Sequence, residues 1–120
     1  MDNIIVDTSS IIFGFSKGID VFNSVEEQLG YKPVISKGIL REIGLLAKRY
    51  SKYRKYAKSA EAAIKMHNPT TDPNSGFVDN WIISAAAKYG NVCTNDYKLK
   101  IRLKSMKINT YSISIGGKLR

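Results

Sequence analysis

Four short apolar runs rich in β-branched residues, set between segments with helical spacing, constrain this chain more than any other feature. The first, Asn3-Ile4-Ile5-Val6, reads as a strand buried on both faces. Asp7-Thr8-Ser9-Ser10 then offers capping side chains ahead of a helical turn at Ile11-Ile12-Phe13. Val21, Phe22, Val25 and Leu29 recur at helical spacing, and Gly30 closes that helix. Pro33-Val34-Ile35 is the second strand, and Ser36 is placed to cap a helix running to about Arg49. A further helix from near Ser51 to Met66 stops before residues 68–76, where two prolines mark a loop. Residues 79–89 predict an alanine-rich amphipathic helix ended by Gly90-Asn91, and Val92-Cys93-Thr94 is the third strand. Asn95-Asp96 then cap a helix to Met106, although residues 98–104 also alternate with the period of a strand. Residues 108–115 read as the last strand. Strands alternating with helices imply an α/β fold, a central, mainly parallel sheet between two helical layers. Function in such folds sits at the carboxyl ends of the strands. With no repeat and no long linker, residues 1–120 are expected to form one domain.

Many function classes fall away at once. No run approaches the roughly 18 apolar residues of a membrane span, and Met1-Asp2-Asn3 lacks the basic start of a signal peptide, so a cytoplasmic protein without membrane contact is expected. One cysteine, Cys93, and one histidine, His67, exclude a disulfide framework, a cysteine zinc site and histidine-rich metal sites. Neither a P-loop nor a G-x-G-x-x-G motif is present, which leaves nucleotide-binding loops unsupported. Ser9 stands where an aspartyl-nucleophile phosphatase would place a second Asp. Set against 10 Asp and Glu, 19 Lys and Arg leave a net charge of +9, which makes polyanions the default partner.

Because acids are few, their positions carry information. Asp7 follows the first strand directly and Asp96 follows the third by two residues, so both emerge at the carboxyl edge of the sheet. On its helix, Glu42 flanks the stripe of Ile39, Ile43 and Leu46, and Asp79 lies in line with Ile82, Ile83 and Ala86. Each acid also has a plain structural reading: Asp7, Asp79 and Asp96 as helix N-caps, Glu42 as a solvated helix residue. Together, however, the four can reach one edge. Carboxylates converging on a core raise one another's pKa unless a cation joins them, and oxygen ligands without histidine or thiolate suit Mg²⁺ or Mn²⁺. Asp72 reads as a solvated turn residue, and His67 as a helix-end residue favoured by the dipole.

Taken together, these residues resemble a PIN domain, the metal-dependent nuclease fold related to flap endonucleases. IIVDTSSI is similar to the family's first strand with its leading Asp, and Glu42 in ILREIGLLA to its helical Glu. VDNWIISAAAKYG resembles the helix before the strand that carries VCTND. The segment VCTNDYKLKIRLKSMKINTYSI is the most specific match, similar to the ending of single-domain archaeal proteins akin to pre-rRNA-processing PIN nucleases. VapC-type toxins share the four acids. The resemblance implies that Asp7, Glu42, Asp79 and Asp96 hold Mg²⁺ or Mn²⁺, and that the Thr94 hydroxyl orients a ligand or water. It implies an endoribonuclease that leaves 5′-phosphate and 3′-hydroxyl ends, acting in rRNA or other RNA maturation. A toxin paired with an antitoxin, and a non-catalytic RNA-binding ribosome-assembly factor, are the alternatives; a homodimer is a further expectation of the family. Asn80 stands where many relatives carry a second consecutive Asp, and Met106-Lys107 replaces the usual Gly.

Two basic groups are placed to hold RNA. Residues 48–58 contain Lys48, Arg49, Lys52, Arg54, Lys55 and Lys58, with Tyr50, Tyr53 and Tyr56 between them and no acid. Cations neutralise phosphates, and tyrosines either stack on bases or form a helix's inward stripe. The second group, Lys98, Lys100, Arg102, Lys104 and Lys107, follows Asp96 and is placed to flank the cleavage groove.

Overall fold

The computed structural model describes residues 2–120. Its elements run β1 (Asn3–Val6), α1 (Thr8–Ser16), α2 (Val21–Leu29), β2 (Lys32–Ser36), α3 (Lys37–Lys48), α4 (Arg54–His67), β3 (Thr70–Asp72), α5 (Val78–Tyr89), β4 (Asn91–Cys93), α6 (Tyr97–Ser105) and β5 (Asn109–Tyr111). All four ladders are parallel, and the sheet order is β3-β2-β1-β4-β5. Helices flank the sheet in a three-layer α/β arrangement, as the alternation of strands and helices predicts.

The central strands are apolar on both faces because both are covered. Ile4, Ile5 and Val6 of β1, Val34 and Ile35 of β2, and Val92 and Cys93 of β4 are all without solvent exposure. They join Phe22, Ile39, Ile43, Ile82 and Leu103 from the helices in one continuous apolar cluster. Burial also pushes the Cys93 thiol up to about 12, which leaves it inert at neutral pH.

Local chemistry sets the helix ends. The Ser36 hydroxyl accepts from the Ile39 N–H at 3.1 Å, the expected cap of α3. Gly30 and Gly90 end α2 and α5 in the left-handed conformation. Asp96 caps α6 by accepting from the Leu99 N–H at 3.2 Å, and with Leu99 and Leu103 buried one turn apart this decides helix over strand for residues 98–104.

Three expectations are corrected. Helix α4 starts at Arg54 rather than near Ser51, because residues 51–53 form a turn in which the Ser51 hydroxyl accepts from the Tyr53 N–H at 3.2 Å. The loop at 68–76 contains β3, whose residue Asp72 is no simple turn residue: it accepts from the Asn74 N–H and the Tyr89 hydroxyl, both at 2.9 Å. Strand β5 is shorter than residues 108–115, because Ile113 turns away to bridge Leu119 in an antiparallel return.

Candidate active site

Sheet order places the site. From β1 the chain builds outward through β2 and β3, then returns to lay β4 and β5 on the other side of β1. That reversal opens a crevice at the carboxyl ends of β1 and β4, where open α/β sheets bind ligands. Asp7 leaves β1 there, and Thr94, Asn95 and Asp96 leave β4. Helices α3 and α5 bring Glu42 and Asp79. All four acids line one cleft of about 290 Å³, and among the described residues no Lys or Arg lines it. The cleft joins what the chain scatters over ninety residues.

Asp7 has only 4% of its surface exposed. Although it sits at the N-cap of α1, its side chain makes no capping bond. Instead its Oδ2 accepts from the Ser9 hydroxyl at 2.8 Å and the Thr94 hydroxyl at 2.7 Å. Those same hydroxyl oxygens accept from the backbone of the loop beyond β4, Ser9 from the Asn95 N–H at 3.0 Å and Thr94 from the Asp96 N–H at 3.1 Å. With both protons directed at Asp7, the 3.2 Å approach between the two hydroxyl oxygens is a packing contact. The two hydroxyls therefore lock Asp7 to the loop that carries Asp96.

The charges in the cleft oppose one another. Burial raises the Asp7 carboxyl above its ordinary value and the charge of Asp79 adds to this, while the Thr94 and Ser9 hydroxyls pull it back down. Glu42 is also raised, first by burial and then by the charges of Asp7 and Asp79, against a lowering by the Thr8 hydroxyl. Thr8 Oγ1 is itself buried in the cleft, near enough to Glu42 to favour its charged form but without closing a well-formed hydrogen bond on it. Asp79 lies in the first turn of α5 and is not its cap, a place held by Phe77. Asp96 both caps α6 and lines the cleft, so its two readings coexist. Asn80 is exposed and does not line the cleft.

Beyond the acids, the site contains residues that the spacing of charges does not single out. Ser9 and Thr8 enter because the first turn of α1 folds over the end of β1; a hydroxyl two residues after a strand-end Asp is the signal that would have found Ser9. Tyr53 also lines the cleft, and it leads into the basic segment. There Arg54, Lys55 and Lys58 line a hollow of about 540 Å³ with Tyr50 and Ser51. Lys48, Arg49, Lys52, Lys98 and Arg102 are exposed but line neither cavity. The tyrosines divide: Tyr56 packs on the core, Tyr53 is partly open, and Tyr50 is 98% exposed. Among the described residues no Lys or Arg pairs with an acid. The single histidine does, since His67 at the end of α4 contacts Asp20 at 2.8 Å and Glu26 at 3.5 Å, away from the cleft.

Comparison with known proteins agrees with this architecture. The structure of the PIN domain endonuclease Utp24 superposes with a TM-score of 0.76 at 25% identity, covering 98% of this chain and 89% of that one. A domain of a functionally unknown protein from Methanocaldococcus jannaschii shares the fold, with a TM-score of 0.62 at 16% identity over 95% of this chain and 92% of that one. No curated protein matches the chain. The family model described as a PIN-like domain matches residues 4–115, and on that match, spanning nearly every element of the sheet and its helices, the chain belongs to the PIN-like domain family.

Proposed function

We propose that this protein is a divalent-metal-dependent endoribonuclease that hydrolyses RNA phosphodiester bonds in RNA maturation, with rRNA as the leading substrate class. One observation carries the reading: four carboxylates line a single cleft with no Lys or Arg among its described lining residues, in a chain whose net charge, these acids included, is +9. Similarity to a PIN domain endonuclease supports the enzymatic part, and the resemblance of the segment from Val92 onward to rRNA-processing relatives supports the substrate.

The donor set fits a hard cation. It is all oxygen, and the charges of Asp7, Glu42 and Asp79 repel one another. Among the described residues no three His, Cys, Asp or Glu side chains form a closed ligand group. An ion that keeps much of its water and takes only one or two carboxylates directly, as Mg²⁺ does, suits such a cleft better than one needing a full protein cage. Mn²⁺ accepts the same oxygen ligands. Asp7, Glu42, Asp79 and Asp96 would hold it. When bound, such a cation activates water and offsets the charge that develops on the phosphoryl oxygens. Thr94 and Ser9 keep Asp7 oriented and help to hold it ionised, while Asp96, fixed by its cap bond to α6, lines the same cleft. Arg54, Lys55 and Lys58 attract the phosphate backbone toward Tyr53 and the cleft.

The test is incubation of a labelled structured RNA with the purified protein and Mg²⁺, Mn²⁺ or EDTA, followed by analysis of the product ends. Cleavage with either metal but not with EDTA, leaving 5′-phosphate and 3′-hydroxyl ends, is expected. Cleavage that persists in EDTA, or that leaves 2′,3′-cyclic phosphate ends, would overturn the metal-hydrolytic reading. RNA binding that weakens with salt, without cleavage in any metal, would replace it with a binding role.

A further inference from the structure

A second cavity adjoins the carboxylate cleft. It holds about 300 Å³ and is lined by Arg41, Glu42, Leu45, Ser75, Phe77 and Val78 among others. Glu42 belongs to both cavities, and Phe77 lies two residues before Asp79, so the two spaces share a wall. Phe77 is 82% exposed and Leu45 47% exposed, an unusual outlay of apolar surface directly beside four acids.

This wall is built to stay in place. The Gly38 N–H donates to the Asn74 carbonyl at 3.2 Å, and the Asn74 side chain accepts from the Gly76 N–H at 2.9 Å. An Arg41 guanidinium nitrogen donates to the Ser75 carbonyl, which fixes that planar cation at the mouth of the cavity. A Cβ on Gly38 would come within 2.6 Å of the Gly76 carbonyl oxygen, so only glycine lets the loop lie this close to α3. The ring of Phe77 is thus presented from a braced loop at the start of α5.

We propose that this cavity is a nucleobase subsite, in which an unpaired RNA base next to the phosphate in the carboxylate cleft stacks on Phe77, with Arg41 beside it and Leu45 closing the apolar floor. The inference rests on the nuclease reading for the identity of its ligand. An aromatic face and a guanidinium plane are the two surfaces on which unstacked bases settle, and neither discriminates among bases. The volume is at the lower end of small-molecule sites, roughly 300–1,000 Å³, which suits one heterocycle. A strand laid across the molecule would meet the basic hollow at Arg54, Lys55 and Lys58, then the carboxylates, then Phe77. The hollow takes phosphates and the far cavity takes a base.

The test is fluorescence anisotropy in EDTA, with a single-stranded RNA oligomer and an abasic ribose-phosphate oligomer of equal length. Stacking contributes about 1–3 kcal/mol per base, so Phe77→Ala should weaken binding of the intact oligomer by about 5- to 150-fold and leave the abasic oligomer unchanged. Phe77→Tyr should bind as the wild type does, and Phe77→Leu, which keeps an apolar side chain at the helix start, should lose the same preference. Equal binding of the intact oligomer by wild type and Phe77→Ala, or equal loss for both oligomers, would overturn the subsite. Wild type that binds both oligomers alike would also overturn it. Cleavage is scored separately with Mg²⁺ and Mn²⁺. A base-dependent loss without cleavage by wild type removes the nuclease reading alone, and cleavage without a base-dependent loss removes the subsite alone.

Discussion

Asp7 shows how one buried carboxylate separates a structural role from a chemical one. Its side chain makes no capping bond to α1 and takes its two side-chain hydrogen bonds from the Ser9 and Thr94 hydroxyls. Replacing Thr94 by Val removes one donor at constant shape and leaves the Asp96 N–H without its acceptor. Outer-shell partners of this kind typically affect metal affinity or activity by roughly 10- to 100-fold. Thr94→Val should therefore need that much more Mn²⁺ for half-maximal cleavage, and Thr94→Ser should not. The charge conflict makes a second prediction. A carboxyl whose folded pKa is raised favours the folded state most below its unfolded value, here 3.8, and loses that margin as pH rises through the folded value. Asp7→Asn does not titrate, so at pH 7 in EDTA it should melt above the wild type, and the gap should close as pH falls toward the ordinary carboxylate range. Mn²⁺ should raise the wild-type melting temperature and leave the variant's nearly unchanged. Identical melting at pH 7 without metal would contradict the repulsion described for the cleft.

At the scale of elements, Asp96 has two functions that mutation can divide. Asp96→Ala removes the cap of α6 and should cost about 0.5–2 kcal/mol in denaturant unfolding. Asp96→Asn keeps a good cap, should stay within a few tenths of wild-type stability, and should still lose cleavage because a ligand charge is gone. What was legible in the sequence follows the same division. Strand ends and helix caps are local, so the β1–Asp7 and β4–Asp96 junctions, the α3 helix bearing Glu42 and the parallel sheet could all be read from runs and caps. Strand β3 could not. Thr70 and Thr71 are exposed at the sheet edge, between Pro69 and Pro73, and no apolar alternation marks them. The roles of Thr8 and Tyr53 were likewise hidden, because each depends on which element folds over the cleft rather than on spacing along the chain. Among the basic residues, composition identified the charge. Only the path of the chain shows that Arg54, Lys55 and Lys58 line one hollow while Lys100 is turned aside to hold the Ser112 hydroxyl at 2.8 Å.

Across the whole molecule, a net charge of +9 coexists with a cleft lined by four acids. The cations are free of acid partners among the described residues, so binding a phosphate backbone breaks no ion pair. Affinity for single-stranded RNA should fall linearly in log[salt], with a slope of about −0.7 per phosphate contacted. Removing Arg54, Lys55 and Lys58 together should reduce the magnitude of that slope by about 2, measured by anisotropy between 50 and 200 mM salt, as for roughly three lost contacts. An unchanged slope would remove the hollow from the RNA path. The central claim is that the four acids form one metal-dependent cutting site, and it is tested most directly by comparing Asp7→Asn and Asp96→Asn with wild type in cleavage of one RNA under Mg²⁺ and Mn²⁺. Both variants should remain folded and bind the RNA, yet cut at least about 100-fold more slowly, roughly 2.7 kcal/mol of transition-state stabilisation. Wild-type rates in either folded variant would contradict the account.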